Sequence, residues 1–419
     1  MKDLSKALLV GVYLQKDELK LCQEHLNELE YLANSYGITD CIKEAVFLRK
    51  FEASTFLTKG KLEEIKESSK QRDLVIFDDE ILASQQRNLE KELGVKVLDR
   101  TELILEVFAA HAQTREAKIQ IELAKVNYLF PRLKKLWTHL ERQAGGGSGG
   151  MFVKGMGEKQ IEVDKRLLQQ RRLRLERELK EVRSHRDIQR RERFRKNVPS
   201  FAIIGYTNAG KSTLLNALTD AGVLTEDRLF ATLDTCTRKF LLPNSQEILL
   251  VDTVGFIRKI SHTLVEAFKS TLEEAVETDI LLHLIDISHP MAIEQAQSTI
   301  DVLKELGAEN KPIITVLNKL DACTDRSLLD RFRIMFPRTV KISALQREGF
   351  DDLFTLMMDE LSKRRKEVTL RIPQSRYDIV SQMMQTANIL YQDFEGNDVV
   401  LRAEVPKEKL SKLEEFIQR

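Results

Sequence analysis

Apolar and polar positions change rhythm several times along this chain. Over residues 1–100, short apolar runs alternate with helical patterns. "ALLVGV" precedes an amphipathic stretch from Glu18 to Ala33, and "AVFLRK", "DLVIFDDE" and "VKVLD" are further strand-like runs. "GKLEEIKESSK" and "QQRNLEKEL" lie between them with helical spacing. Strands alternating with helices predict βαβ units and a mainly parallel sheet, because a parallel connection needs a crossover long enough to hold a helix. From Thr101 the strand-like runs stop, and the only strong breaker before the next loop is Pro131. One long helix is expected there, or two, with the kink at that proline. "AGGGSGGMFVKGMGEK" follows as a glycine-rich loop, and a second helix is expected from Gln160 to Asn197. Two long helices joined by a short flexible loop form a helical hairpin. Strand–helix alternation returns from Val198 to Lys363. The last stretch reads as strand ("VTLRIP"), helix ("YDIVSQMMQTANIL"), hairpin ("FEGNDVVLRAEVP") and helix ("PKEKLSKLEEFI"), a small α+β domain.

Composition narrows this picture only locally. Among 419 residues, 42% are apolar and 31% charged, which fits packed cores under a charged surface and excludes a disordered chain. The net charge of +1 names no partner. The second hairpin helix does differ: residues 164–197 carry 14 Lys or Arg against 6 Asp or Glu, a net +8. Such a run is either a solvated helix face or a surface for a phosphate backbone. Cys22, Cys41, Cys236 and Cys323 form no CxxC pair, so a zinc knuckle or disulfide framework is not expected and a reducing cytosol fits best. "ALLVGVYL" is too short to span a bilayer and no small-residue cleavage site follows it, so it reads as a buried strand and no membrane span is expected.

The candidate chemistry lies in the third segment. "FAIIGYTNAGKST" sets an apolar strand before Gly205, Tyr206, Thr207, Asn208, Ala209, Gly210, Lys211 and Ser212, and Thr213 opens the helical run that follows. This is a phosphate-binding loop in strand–loop–helix context: backbone N–H groups wrap a phosphate, Lys211 bridges β- and γ-phosphates, and the Ser212 hydroxyl holds Mg²⁺. "ILLVD" ends on Asp252, placed to hold the Mg²⁺ shell through water, and Thr253, Val254 and Gly255 follow, the last with an N–H for the γ-phosphate. "NKLD", Asn318, Lys319, Leu320 and Asp321, follows the apolar run "PIITVL". The Asp321 carboxylate can accept from guanine N1–H and the exocyclic amine. Adenine offers neither donor, and sites built this way discriminate by about 10⁴-fold or more. Ser343, Ala344 and Leu345 then supply a loop beside the base. Four motifs in this order predict a guanine-nucleotide site.

"LFATLDTCTR" offers Thr232, Thr235 and Thr237 for the switch threonine. Thr232 is preferred, with Leu229, Phe230, Ala231 and Leu233 around it, as a Mg²⁺ ligand and γ-phosphate sensor. Lys211, Thr232 and Gly255 are the expected catalytic groups. After "DTVG", where small GTPases usually carry a water-orienting glutamine, stands Phe256, which is expected to pack into a core or turn away from the phosphate. "FLTKGK" could be a second phosphate contact or an exposed turn.

"GYTNAGKST", "LFATLD", "DTVGFI" and "NKLD" closely resemble the HflX family of ribosome-associated GTPases, in the Obg-HflX-like superfamily. "FLTKGKLEEI", the run from "FDDEILASQQRNLEKELGVKVLDR" through "YLFPRL", and "GMGEKQIEVDKR" resemble that family's N-terminal signatures. The resemblance implies an α/β protein with a P-loop GTPase domain over residues 198–364. Around it would be an N-terminal α/β domain over 1–100, a helical hairpin over 101–197 and a small α+β C-terminal domain over 365–419. It further implies GTP and GDP as ligands, Mg²⁺ as cofactor, and binding to the large (50S) ribosomal subunit and its rRNA. A cytoplasmic monomer is expected, with peripheral association to ribosomes or membrane. Family members can split ribosomes, notably under stress. Asn208 sits where potassium-stimulated relatives bind K⁺; the other reading is a loop-stabilising asparagine. Two other activities stay open: a GTP-dependent anti-association factor that does not need turnover, and a GTPase in rRNA or tRNA maturation.

Overall fold

A computed structural model describes residues 5–144, 163–182, 198–219, 236–259, 276–323, 325, 327–406, 410 and 413–418. The chain forms two compact units, the first mainly residues 1–183 and the second mainly residues 184–419.

In the first unit, β1 (Lys6–Tyr13), β2 (Asp40–Phe47), β3 (Leu74–Phe77) and β4 (Lys96–Asp99) form a parallel sheet in the order β2-β1-β3-β4. Helices α1 (Leu19–Tyr36), α2 (Lys59–Ser69) and α3 (Ala83–Leu93) are the crossovers. β3 is buried along its whole length, as the unbroken apolar run "LVIF" requires. "TKG" is the start of α2, where Gly60 is exposed and Lys61 pairs with Glu64 at 2.6 Å.

The long helical stretch is two helices, but the break is not at the proline. α4 (Arg100–His111) ends where Ala112 turns extended at ψ 119°, and α5 (Arg115–Ala144) begins after Thr114, whose hydroxyl accepts from the Ala117 N–H at 3.2 Å. Pro131 lies inside α5. The next residue anchors that turn. Arg132 Nη2 reaches the fully buried Asp99 at 2.6 Å and the Ile81 carbonyl at 2.9 Å, and its guanidinium lies 3.9 Å above the Tyr128 ring. Tyr128 itself donates to Asp99 at 2.9 Å.

Residues 163–182 form a further helix, α6. Ile119, Leu123 and Val126 of α5 bury Leu175 and Leu179 of α6. Within α6, Arg172 pairs with Glu176 at 2.8 Å and Arg174 with Glu178 at 2.9 Å, while Arg171 pairs with Glu122 of α5. The glycine-rich tip and the most basic part of the second helix, residues 183–197, lie outside the described residues.

The second unit is built on a six-stranded sheet. Its elements are β5 (Ser200–Gly205), α7 (Lys211–Thr219), β6 (Cys236–Leu241), β7 (Glu247–Asp252), β8 (Ile280–Asp286), α8 (Ala292–Glu305), β9 (Ile313–Asn318), α9 (Ser327–Met335), β10 (Thr339–Lys341) and α10 (Phe350–Lys363). The order is β10-β9-β8-β5-β7-β6, parallel throughout except that β6 runs antiparallel to β7. Phe201, Ile203, Leu282, Leu284, Ile314 and Val316 fill one face beneath α7 and α10. A separate three-stranded antiparallel sheet follows, β11 (Arg365–Pro373), β12 (Asn388–Glu395) and β13 (Asp398–Pro406), ordered β11-β13-β12 and covered by α11 (Tyr377–Thr386). The expected helix through Leu390 ends earlier, at Thr386, because Asn388 onward pairs with β13. The final expected helix falls partly outside the described residues, and Glu414–Phe416 forms a 3-10 turn. The architecture is the expected one: an α/β chain with a P-loop domain, an N-terminal α/β part and a small C-terminal sheet.

Candidate functional site

Open parallel sheets bind ligands outside the carboxyl ends of their strands. In the second unit those ends carry Gly205 on β5, Asp252 on β7, Asp286 on β8 and Asn318 on β9. The sheet therefore gathers residues that are far apart in sequence.

The loop from Gly205 to Gly210 leads directly into α7, so its N–H groups and the helix N-terminus form an anion cradle. Asn208 holds a left-handed φ of 61° and is exposed. Gly210, at φ +93°, has no alternative: an added Cβ would lie 2.4 Å from Asn318 Nδ2. Lys211 folds back over the loop and donates to the carbonyls of Tyr206 at 2.7 Å and Gly205 at 3.2 Å. Burial pulls its pKa down to about 8, with Asp252 acting against that. Arriving phosphates would supply counter-charge that raises it again and holds the cationic form.

Ser212 donates from Oγ to Asp252 Oδ2 at 3.1 Å. A hydroxyl and a fully buried carboxylate converge there, the hard oxygen donors that suit Mg²⁺. The set fits the expected cation. Thr253 and Val254 face elsewhere: Thr253 donates to the Ile203 carbonyl at 2.7 Å and Val254 is buried. Only their backbones can meet a phosphate.

Phe256 is 1% exposed. Its N–H donates to Gly205 at 3.0 Å and its carbonyl accepts from Thr207 at 2.7 Å, a short parallel bridge between the two loops. Two residues on, the Arg258 N–H donates to the Tyr206 hydroxyl at 2.7 Å. The ring at the glutamine position is therefore an anchor, as its chemistry predicts.

The base-side loop is equally tied. Asn318 donates from Nδ2 to the Ala209 carbonyl at 2.8 Å and accepts at Oδ1 from the Ala344 N–H at 2.9 Å. Ser343 donates to Asp321 Oδ1 at 2.5 Å, leaving the rest of that exposed carboxylate available. Leu345 is exposed beside it and Leu320 half-buried. Lys319, in the left-handed region at φ 61°, pairs with Asp286 Oδ2 at 2.7 Å. Sequence reasoning missed Asp286, although it ends the apolar run "ILLHLID" in register with Asn318 on the neighbouring strand. Leu229, Phe230, Ala231, Thr232 and Leu233 lie outside the described residues; Thr237 is in β6, paired with Val251. Among the described residues no group of His, Cys, Asp and Glu is assembled for a metal, and no helix is long and apolar enough to cross a membrane.

Comparison with known proteins extends beyond this site. Residues 23–109 match the family model "GTP-binding GTPase N-terminal", 111–193 the "GTP-binding GTPase Middle Region", and 200–319 the "50S ribosome-binding GTPase". The chain is similar to a GTPase HflX of Chlamydia pneumoniae, 48% identical over 419 residues, covering 99% of this chain and 89% of the relative. It is 39% identical to the GTPase HflX of Escherichia coli K12 over 372 residues, 88% of this chain and 85% of that one. Among solved structures, a GTP-binding protein from the archaeon Sulfolobus solfataricus in complex with GDP is 26% identical, covering 85% of this chain and 99% of that one, with a TM-score of 0.44.

Proposed function

The chain belongs to the GTPase HflX family and is a GTPase, and on that premise we propose that it is a cytoplasmic monomer that binds the large ribosomal subunit in its GTP form and dissociates or rescues ribosomes. The observation that carries this reading is the continuity of the match: 48% identity runs through 99% of the chain, including the hairpin helix with its net +8 over residues 164–197. A charge excess of that size suits rRNA phosphates. The reading assigns residues 1–100 and the hairpin 101–197 to subunit contact, 198–364 to the nucleotide and 365–419 to a supporting domain.

Each site residue takes a role from its place. Asp321, held by Ser343, accepts from guanine, and Asn318 ties the base loop to the phosphate loop through Ala209 and Ala344. The N–H groups from Tyr206 to Thr213 cradle phosphates, Lys211 neutralises β- and γ-oxygens, and the Gly255 N–H senses the γ-phosphate. Ser212, Thr232 and, through water, Asp252 would hold Mg²⁺, which when bound neutralises charge developing on the phosphates. Asn208, exposed at the rim of the loop, is a ligand for K⁺. Intrinsic hydrolysis is slow because Phe256 gives water no side-chain partner, and the ribosome stimulates it.

Sedimentation with purified subunits in the GTP, GDP and non-hydrolysable-analogue states tests the reading. Analogue-dependent co-sedimentation with the large subunit is expected, and attachment indifferent to the nucleotide would overturn it. Hydrolysis is expected to run faster in KCl than in NaCl at equal ionic strength, and equal rates would remove K⁺ from the site.

A further inference from the structure

Thr207 occupies the third position of the phosphate loop and is 6% exposed. Its Oγ1 is buried and has no hydrogen-bond partner among the described residues. Native structures rarely leave a buried hydroxyl in that condition, since it loses water and gains nothing. The residue itself sits at the γ-phosphate end of the loop, beside Gly255 and Lys211. A Cβ added at Gly255 would lie 2.7 Å from Thr207 Cγ2 and 2.8 Å from Lys211 Nζ. The Thr207 methyl, the loop lysine and the α-carbon of Gly255 thus crowd one small space, and the unpartnered hydroxyl is borne on the same β-carbon as that methyl. The residue is also fixed there, because its N–H donates to the Phe256 carbonyl at 2.7 Å.

We propose that the Thr207 hydroxyl is the side-chain group that meets the γ-phosphate and the attacking water, taking the part that Phe256 cannot play. A neutral hydroxyl is far too weak a base to take the water's proton. Instead it accepts a hydrogen bond from the water and donates its own to a γ-phosphate oxygen, which holds the two reactants in line. The water oxygen forms its bond to the γ-phosphorus, the bond from that phosphorus to the β-phosphate oxygen breaks with its electron pair going to GDP, and the water's proton passes to the released phosphate. This rests on the chain being a GTPase, so nucleotide binding and turnover are measured separately.

The test compares full-length Thr207→Val, which keeps the shape and removes the hydroxyl, with Thr207→Ser, which keeps the hydroxyl. Single-turnover GTP hydrolysis, GDP affinity and the thermal midpoint are read for each. Loss of one transition-state hydrogen bond predicts a rate about 10²-fold lower for Thr207→Val, while GDP affinity and the thermal midpoint hold. Thr207→Ser is expected to retain most of the rate. Wild-type turnover by Thr207→Val would overturn the proposal, as would a serine variant as slow as the valine one. A fall in GDP affinity matching the fall in rate would also overturn it, assigning the side chain to binding.

Discussion

Acid should destabilise the second unit through one side chain. His283 sits in the middle of β8, in register with Ile204 on one side and Thr315 on the other, and is 0% exposed. Neither ring nitrogen has a partner among the described residues, and the Phe336 ring lies edge-on at 5.9 Å. Burial alone pulls its pKa from 6.5 to about 4. In the unfolded chain the imidazole protonates near its ordinary value. Between those two values the unfolded state binds a proton that the folded state refuses. Stability is therefore full above about pH 6.5 and falls as pH drops toward about 4, where the loss levels off. A difference of roughly 2.5 pKa steps at about 1.36 kcal/mol each caps the loss near 3 kcal/mol, of which roughly 2 kcal/mol falls between pH 7 and pH 5. Urea titrations followed by circular dichroism, on wild type and His283→Leu at both pH values, measure this as a difference of differences. The wild type should lose about 2 kcal/mol more than the variant on acidification. The variant should be at least as stable at pH 7, since it buries no unpaired ring nitrogen. Equal acid shifts in the two proteins would refute the reasoning.

Gly210→Ala should displace Asn318 from both Ala209 and Ala344, given an added Cβ 2.4 Å from Asn318 Nδ2, and lower guanine-nucleotide affinity roughly 100-fold for two buried hydrogen bonds. Titration with a fluorescent GDP reads it, and unchanged affinity would count against the geometry. Asp286→Asn removes the 2.7 Å partner of Lys319 and should weaken GDP binding about tenfold, but by nothing further in a Lys319→Met background. Additive losses in that double-mutant cycle would break the link. Arg132→Met leaves the fully buried Asp99 without its cation and should destabilise the first unit by about 3–5 kcal/mol. Its thermal midpoint should fall while GDP affinity stays. Phe256→Gln should not speed hydrolysis, because the new amide enters a site only 1% exposed; it should cost about 3 kcal/mol or more in stability. Faster turnover in that variant would show the side chain reaching the water.

Strand–helix alternation was readable because each buried strand is an apolar run and each crossover keeps helical spacing. That the loop glycines, Lys211, Ser212, Asp252 and Asn318 gather at one edge of the sheet was readable because such motifs keep their local spacing and follow apolar strand runs. The break between α4 and α5 was not. "AQT" carries neither Gly nor Pro, while the strong breaker, Pro131, sits inside a helix whose next residue, Arg132, is bonded to Asp99 and Ile81. Tertiary bonds there outweigh the local preference. The start of β12 was misread for the same reason: "NIL" continues a helical spacing, but its backbone is taken by β13. Asp286 and Thr207 were illegible as partners. One matters through an ion pair made across neighbouring strands, the other through a bond its hydroxyl lacks, and neither is visible before the chain is folded.

These observations answer what a phenylalanine is doing after "DTVG". A glutamine there would act by moving to the water. This chain instead fixes the segment: Phe256 exchanges backbone hydrogen bonds with Gly205 and Thr207, its ring is buried, and Tyr206 clasps Arg258. The gain is a Gly255 whose position is set by the phosphate loop itself, so on the proposed reading binding and sensing share one bonded piece. The cost is that nothing from this segment can reach for water. Positioning and charge neutralisation dominate phosphoryl transfer, so acceleration falls to the phosphate loop, the cations and Thr232 of the proposed site, and groups a partner brings. On the proposed function, a site arranged in this way favours a long-lived GTP state that ends when the ribosome completes it, which is the behaviour a factor needs if its bound state must outlast the encounter with its target.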